Sequence, residues 1–323
     1  MSNGIPLGQW DTAIAAYLSS RHALGRAFRK EERILNRFRN CLAAEGAIDI
    51  DQALFDQWRR QFRHCCARTR FMYEIAIFNF CRYRRRSEPS CFLPDRFGLA
   101  RPAPYALPTL IDADQVARLL AYVATLPSTT RYPLRPAVLR FGIVLLYTAG
   151  LRRGEVARLT LGDIDTGTGV LRVHDSKFHK SRWVPLSDTA AQELHAYLGI
   201  RNAVVSDHSP SAPLLCTKQG VPYSGPGLSE SVRTIMIASG IWGNGMRLPR
   251  VHDFRHSFAV AALLRWYETD ADVQSNLPKL ALYMGHVSIV STAYYLRFMP
   301  AVIAKAGERF ARDWGTLVDG GTP

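Results

Sequence analysis

The chain has no run of 18 or more apolar residues, the length a helix needs to cross a bilayer. Its first residues, Met1-Ser-Asn-Gly-Ile-Pro6, combine no basic stretch with an apolar one, so neither secretion nor membrane insertion is expected. Cysteine is sparse. The six (Cys41, Cys65, Cys66, Cys81, Cys91, Cys216) show no C-x-x-C spacing. Cys65 and Cys66 follow His64, but no second pair with ligand spacing accompanies them, so reduced thiols packed in helices are expected rather than disulfides or a metal site. No carboxylate cluster has the spacing of a metal-dependent nuclease, and no internal repeat is visible. Acids are also scarce, with 27 Asp and Glu against 41 Lys and Arg.

That imbalance leaves a net charge of +14 and a pI near 9.8, which points to a polyanionic partner. With membrane insertion set aside, nucleic acid is the leading candidate. The 323 residues, 47% of them hydrophobic, suffice for two domains with separate cores. The expected location is the cytoplasm, in association with the nucleoid.

Along the chain, helical spacing recurs in Ile14-Tyr17-Leu18, in Ile34-Phe38-Leu42, and from Leu54 through Trp58 and Phe62. Gly46 and the Asp49/Asp51 pair punctuate this part as turn and cap signals. Residues 1–91 therefore read as an all-helical domain. Four prolines (Pro94, Pro102, Pro104, Pro108) mark residues 92–108 as an extended interdomain linker. Residues 109–299 read as a mixed domain. An apolar helix from Val138 to about Thr148 ends at Gly150, and a short helix carrying Arg152, Glu155 and Leu159 follows. Val170–Val173 and Arg182–Leu186 then flank a polar tip, Ser176-Lys-Phe-His-Lys180, in a β-hairpin pattern. Helices are expected again over about Asp188–Leu198, Ser229–Ala238, Asp253–Tyr267, Pro278–Met284 and Ser288–Tyr295. Residues 300–323 form a tail with an amphipathic pattern. The fold class expected is mainly α with a small antiparallel sheet.

Before the linker, Arg59, Arg60, Arg63, Arg68, Arg70, Arg82, Arg84, Arg85 and Arg86 interleave with aromatics on the expected helices. Any one of them suits a solvated face. As a set they suit a DNA backbone, because each guanidinium can donate two hydrogen bonds to one phosphate.

In the second domain, Arg152, Lys177, His252, Arg255, His286 and Tyr295 occur in an order suited to phosphoryl chemistry. Arginines neutralise a phosphate, a lysine protonates a leaving oxygen, and a tyrosine can hold the phosphoryl group covalently. Singly, each has a plainer reading. Arg152 and Glu155 form an ordinary i,i+3 pair, Lys177 is a turn lysine with Lys180 as its rival, and His286 is a residue after a glycine. Tyr294 and Tyr295 diverge by one helical step, so only one can face a site. The pattern H-x-x-R also occurs twice, at His179–Arg182 and at His252–Arg255. Only the second opens an amphipathic helix, with Asp253 as its expected N-cap and His256 as a buried structural residue.

Taken together, Thr-Ala-Gly-Leu-Arg152-Arg-Gly-Glu155, Lys177, His252-x-x-Arg255-His-Ser-Phe-Ala259, Gly285-His286 and Tyr295 resemble the tyrosine recombinase (phage integrase) family over about Leu110 to Arg297. The flanking segments Leu159-Thr-Leu-Gly-Asp-Ile-Asp165 and Lys-Ser-Arg-Trp-Val-Pro-Leu186 agree. The interval from Arg255 to His286 is longer than in compact Xer-type members and resembles a subgroup carried by transposons and other mobile elements.

The resemblance implies a SAM-like core-binding domain before the catalytic one. It implies that Tyr295 attacks a DNA phosphate to give a 3′-phosphotyrosyl link, with Arg152 and Arg255 on the nonbridging oxygens and Lys177 protonating the leaving 5′ oxygen. His252 would assist the tyrosine, His286 would donate to the phosphate, and Glu155 would orient the first motif. No cofactor or metal is implied. The partners implied are double-stranded recombination sites and a DNA-bound homo-tetramer or an assembly with related recombinases, with the tail as a protomer-docking helix. A type IB topoisomerase-like enzyme and a catalytically inactive DNA-binding protein are the alternatives.

Overall fold

A computed structural model describes residues 7–25, 28–103, 108–174, 181–242, 247–286 and 288–318. The chain divides into two compact units, residues 1–106 and 107–323.

The first unit is helical: α1 (Leu7–His22), α2 (Arg29–Ala44), α3 (Gln52–Arg60) and α4 (Ala67–Arg84). The periodic residues Ile34, Leu35, Phe38 and Leu42 form the buried stripe of α2. They join Trp10, Tyr17, Phe55, Trp58, Ile77 and Phe80 in an aromatic-rich core. Asp51 caps α3 by accepting from the Leu54 N–H at 2.8 Å. The stretch after α4 packs on this same unit. Leu99 is buried in the core, the Ala100 N–H donates to Glu74, and the Gly98 carbonyl accepts from Arg59.

In the second unit, α5 (Ala113–Ala124) and α6 (Arg135–Thr148) lead into the four-residue α7 (Arg153–Val156). A three-stranded antiparallel sheet follows in the order β1 (Ile164–Asp165), β2 (Val170–Val173) and β3 (Arg182–Pro185). The expected hairpin forms in the register Val173 opposite Arg182, and its tip lies outside the described residues. The small first strand, β1, has no counterpart in the sequence reading.

The remaining helices are α8 (Asp188–Asn202), α9 (Gly225–Ala238), α10 (Val251–Glu268), α11 (Val273–Met284), α12 (Val290–Phe298) and α13 (Pro300–Val318). Leu139, Phe141, Ile143, Leu145 and Leu146 make α6 the apolar centre, sealed by Leu228, Ile235 and Phe254. A satellite core joins α10 to the final helices through Val260, Leu263, Met284, Tyr295, Met299 and Val302. The tail helix α13 thus packs on its own unit. Arg309 also donates to the Ala271 carbonyl, and Arg312 pairs with Asp270 at 2.6 Å.

Two helix starts differ from expectation. Asp253 is not the N-cap of α10: the helix begins at Val251, and the Asp253 carboxylate reaches back to the Arg250 N–H at 2.8 Å from the third position. Helix α11 begins before Pro278 because Asp272 caps it through the Ser275 N–H, leaving the proline in the second turn.

Candidate active site

Two glycine turns build the floor of the site. Gly150 ends the α6 segment at φ +57° and Gly285 ends α11 at φ +64°, a left-handed conformation that a side chain disfavours. Space forbids a side chain as well. A Cβ on Gly150 would lie 2.5 Å from the Phe258 ring, and one on Gly285 would lie 2.8 Å from the Arg182 guanidinium. Each turn presents a carbonyl to an arginine. Arg255 Nη1 donates to the Gly150 oxygen at 2.7 Å, and Arg152 Nη2 donates to the Gly285 oxygen at 2.8 Å. Arg255 Nη2 also donates to the Met284 carbonyl. Both guanidiniums are therefore tied to the α11–α12 turn, Arg152 from 133 residues earlier and Arg255 from 29. Both keep further N–H groups for an anion.

Glu155 is the anionic counterweight. It is 3% exposed, and its carboxylate accepts four hydrogen bonds, two from Arg152 and two from Arg182, at 2.7–3.1 Å. Burial alone would raise its pKa, but Arg182 first and then Arg152 hold it down to about 2. Arg182 also donates to the Tyr283 carbonyl at 2.6 Å, which fastens β3 to the end of α11. The sequence reading passed over Arg182 as part of the decoy H-x-x-R in the hairpin. The missed signal was its place in the Lys-Ser-Arg-Trp-Val-Pro-Leu segment. Arg255 pays a charging penalty, being pushed down to about 9 by burial and by the neighbouring cations Arg152 and Arg182. It remains a cation at neutral pH.

Tyr295 lies on α12 and is 3% exposed. Burial pushes its hydroxyl up to about 12, while the fields of Arg255 and Arg152 act in the opposite direction. The nitrogen at hydrogen-bond distance from the hydroxyl is His256 Nδ1, at 2.8 Å. His256, expected to be merely structural, thus touches the candidate nucleophile. His252, on the first turn of α10, instead meets His256 edge-on, with centroids 4.8 Å apart. His252 is exposed as a residue, yet the cleft wall, His256 and Arg255 all disfavour its charged form. Tyr294 is half-buried, with its ring 5.7 Å from that of Tyr295.

His286 Nδ1 lies 2.7 Å from Thr292 Oγ1. Burial and the Arg255, Arg152 and Arg182 cations push His286 down to about 3, so it is neutral at pH 7. In the tautomer whose Nδ1 accepts from the threonine hydroxyl, the ring carries its proton on Nε2 and can donate from there. Lys177 and its rival Lys180 lie outside the described residues.

An open groove of about 1170 Å³ adjoins Arg152 and His252. Arg153, Arg158, Arg233, Arg247 and Arg250 line it, together with the acids Glu155 and Glu230. Arg153 is held there by Ser229 Oγ at 3.1 Å. In the sequence Arg153 reads only as a decoy beside Arg152, and the other four do not stand out, because the set is scattered over nearly a hundred positions.

In the first unit, Arg60, Arg63, Arg82, Arg85 and Arg86 are exposed, and Arg59, Arg68 and Arg70 are half-buried. Arg59 is engaged by Glu74 and by the Gly98 carbonyl. Arg84 does not belong to an exposed set. Its side chain is 2% exposed and is clamped by Asp49 and Glu88, so it has no face to offer a phosphate. A second cationic groove, of about 460 Å³, is lined by Lys30, Arg33, Arg37, Thr69, Met72 and Tyr73. The sequence reading missed its α2 cations because they lie in a stretch that also carries acids.

Among the described residues, no group of three or more His, Cys, Asp or Glu side chains could hold a metal ion, and no helix is long and apolar enough to cross a membrane. The model of the phage integrase family matches residues 109–300. The chain is 31% identical over 309 residues to a Sinorhizobium fredii protein named "Putative integrase/recombinase y4rB", covering 94% of this chain and 97% of that one. Two solved structures share the fold. The Tn1549 transposon integrase in complex with transposon right end DNA superposes with a TM-score of 0.65 at 13% identity, covering 93% of this chain and 98% of that one. The XerH site-specific recombinase bound to a palindromic difH substrate gives 0.62 at 18% identity, covering 85% and 77%.

Proposed function

This chain belongs to the phage integrase family of tyrosine recombinases, and we propose that it cleaves and rejoins DNA strands through a covalent link from Tyr295 to a 3′ phosphate. The observation that carries the reading is the convergence at one turn. Arg152 and Arg255 both grip carbonyls between Met284 and Gly285, and the helix after that turn brings Tyr295 into their field.

A phosphodiester undergoing in-line attack gathers negative charge on its nonbridging oxygens. Two guanidiniums fixed beforehand stabilise that charge without reorganising at the moment of reaction. Glu155 and Arg182 hold Arg152 in place, and Arg182 fastens the strand that follows the Lys177 loop to the same turn. In this reading Lys177 protonates the departing 5′ oxygen, His286 donates from Nε2 to a nonbridging oxygen, and His252 contributes at the rim of the cleft. The phosphotyrosine conserves the energy of the broken bond, so a 5′ hydroxyl from another strand can reseal it without ATP.

The arginine-lined groove beside Arg152 fits a DNA backbone, as does the Lys30, Arg33 and Arg37 groove of the first unit. The substrate is a pair of double-stranded recombination sites, bound by an assembly of protomers such as a homo-tetramer. The mobile-element role rests on the long interval between Arg255 and His286 and on the integrase names of the relatives, with action at the nucleoid.

A duplex nicked near the cleavage point traps the adduct, because the short released fragment diffuses away. Wild-type protein and Tyr294→Phe form the covalent complex, whereas Tyr295→Phe binds the DNA and forms none. The opposite pattern would move the nucleophile to Tyr294, and no adduct from any form would remove the covalent mechanism.

A further inference from the structure

His256 stands outside the residues that the sequence motifs assign to the reaction, yet it is the group touching the nucleophile. Its Nδ1 lies 2.8 Å from Tyr295 Oη, with the ring centroids 5.6 Å apart and the planes at 63°. We propose that His256 accepts the Tyr295 proton during strand cleavage and returns it during rejoining. This inference rests on the reading of Tyr295 as the nucleophile.

In the Nε2–H tautomer, Nδ1 carries an in-plane lone pair and the phenol donates to it. As the bond from Oη to phosphorus forms, the bond from phosphorus to the 5′ oxygen breaks and the phenolic proton passes to Nδ1. The leaving oxygen takes its own proton from a separate donor, Lys177 in the proposed assignment. Rejoining runs the same steps backwards: the 5′ hydroxyl attacks, Oη departs, and Nδ1 gives the proton back.

Placement favours His256 over His252. His256 directly follows Arg255 on one rigid helix, so the phosphate-holding group and the proton acceptor are carried together. His252 lies one turn earlier and turns its ring towards His256. The charged and titratable groups facing His256 are Tyr295 from α12, and His252, Asp253, Arg255 and Arg250 from its own helix and cap. Burial, with the Arg250 and Arg255 cations, holds the imidazole below its ordinary value, and Asp253 opposes them. The ring is therefore neutral and able to accept at pH 7. Asp253, itself fully buried, favours the imidazolium once the proton has arrived. With Tyr295 pushed up to about 12, a tyrosinate formed before attack is strongly disfavoured, so proton transfer accompanies formation of the O–P bond.

The test is the rate of adduct formation by the full chain on the nicked duplex from about pH 6 to pH 9. His256→Asn keeps a polar atom near the Nδ1 position to hold Oη, but has no basicity. It is expected to slow adduct formation by about 10²–10⁴-fold at pH 7, with DNA affinity unchanged. The deficit narrows as pH rises and hydroxide takes over. A duplex with sulfur in place of the bridging 5′ oxygen, whose thiolate departs without a proton, leaves the deficit in place, because the loss is on the nucleophile's side. If asparagine impairs folding, seen as lost DNA affinity, His256→Gln is judged by the same measurements.

Adduct formation at the wild-type rate or faster, with an unchanged pH profile, overturns the proposal and makes His256 a holding contact. Rescue by the sulfur substrate overturns it too, by moving His256 to the leaving-group side. Failure of the wild-type protein itself to form an adduct, with Tyr295→Phe as the blank, removes the reading of Tyr295 and this inference with it.

Discussion

Replacing Glu155 with glutamine keeps the shape of the side chain and removes the anion that pairs with both Arg152 and Arg182. The structure sets the size of the effect. Glu155 is buried, accepts four hydrogen bonds from two arginines, and is held at about 2 against an ordinary 4.5. At about 1.36 kcal/mol for each tenfold change in acidity, that difference is worth roughly 3 kcal/mol of folding stability at neutral pH. A depressed carboxylate contributes fully above its unfolded value and loses its contribution as pH falls from about 4.5 through about 2. The stability gap between wild type and Glu155→Gln is therefore expected at roughly 3 kcal/mol at pH 7, shrinking by roughly 1.4 kcal/mol near pH 3.5. Urea denaturation, followed through hydrogen exchange of the α10 amides, reads the second unit by itself. A gap under about 1 kcal/mol at pH 7, or one that does not move with pH, would refute the view of Glu155 as an ionised, arginine-clamped carboxylate.

Two further outcomes follow from the same geometry. Gly285→Ala is expected to cost about 1–3 kcal/mol, because the new Cβ meets Arg182 in a backbone conformation that alanine disfavours. It should also slow adduct formation by displacing the carbonyl that holds Arg152, so wild-type stability together with wild-type cleavage would contradict it. In the groove, replacing Arg158, Arg233 and Arg250 together with glutamine should weaken DNA binding similarly across sequences and reduce the salt slope by about 1 for each lost phosphate contact. An unchanged slope in binding titrations over a range of salt would mean that the groove faces away from the DNA.

Helices were legible wherever one face repeats at the helical period, as in Ile34, Phe38 and Leu42, because burial of that stripe is what stabilises the helix. The αL turns at Gly150 and Gly285 were legible for a similar local reason. Boundaries were less so. Proline suits a first turn, so Pro278 read as a start, whereas the Asp272 side chain caps the helix earlier. Arg84 read as one more basic residue in an arginine run, since nothing in that run reveals that Asp49, 35 residues away, folds against it.

By itself the sequence determined the chemistry at hand: the family motifs, the cationic excess, and the order Arg152, His252, Arg255, His286, Tyr295. The tertiary structure alone decided who touches whom. It set Arg182 on Glu155, gave the Tyr295 hydroxyl to His256 rather than His252, and gathered Arg153, Arg158, Arg233, Arg247 and Arg250 into one groove. The physical reason is range. Helix phase and turn geometry depend on residues a few positions apart. The contacts that assemble the site close loops of 27 to 133 residues, and their partners are chosen by packing of the whole unit.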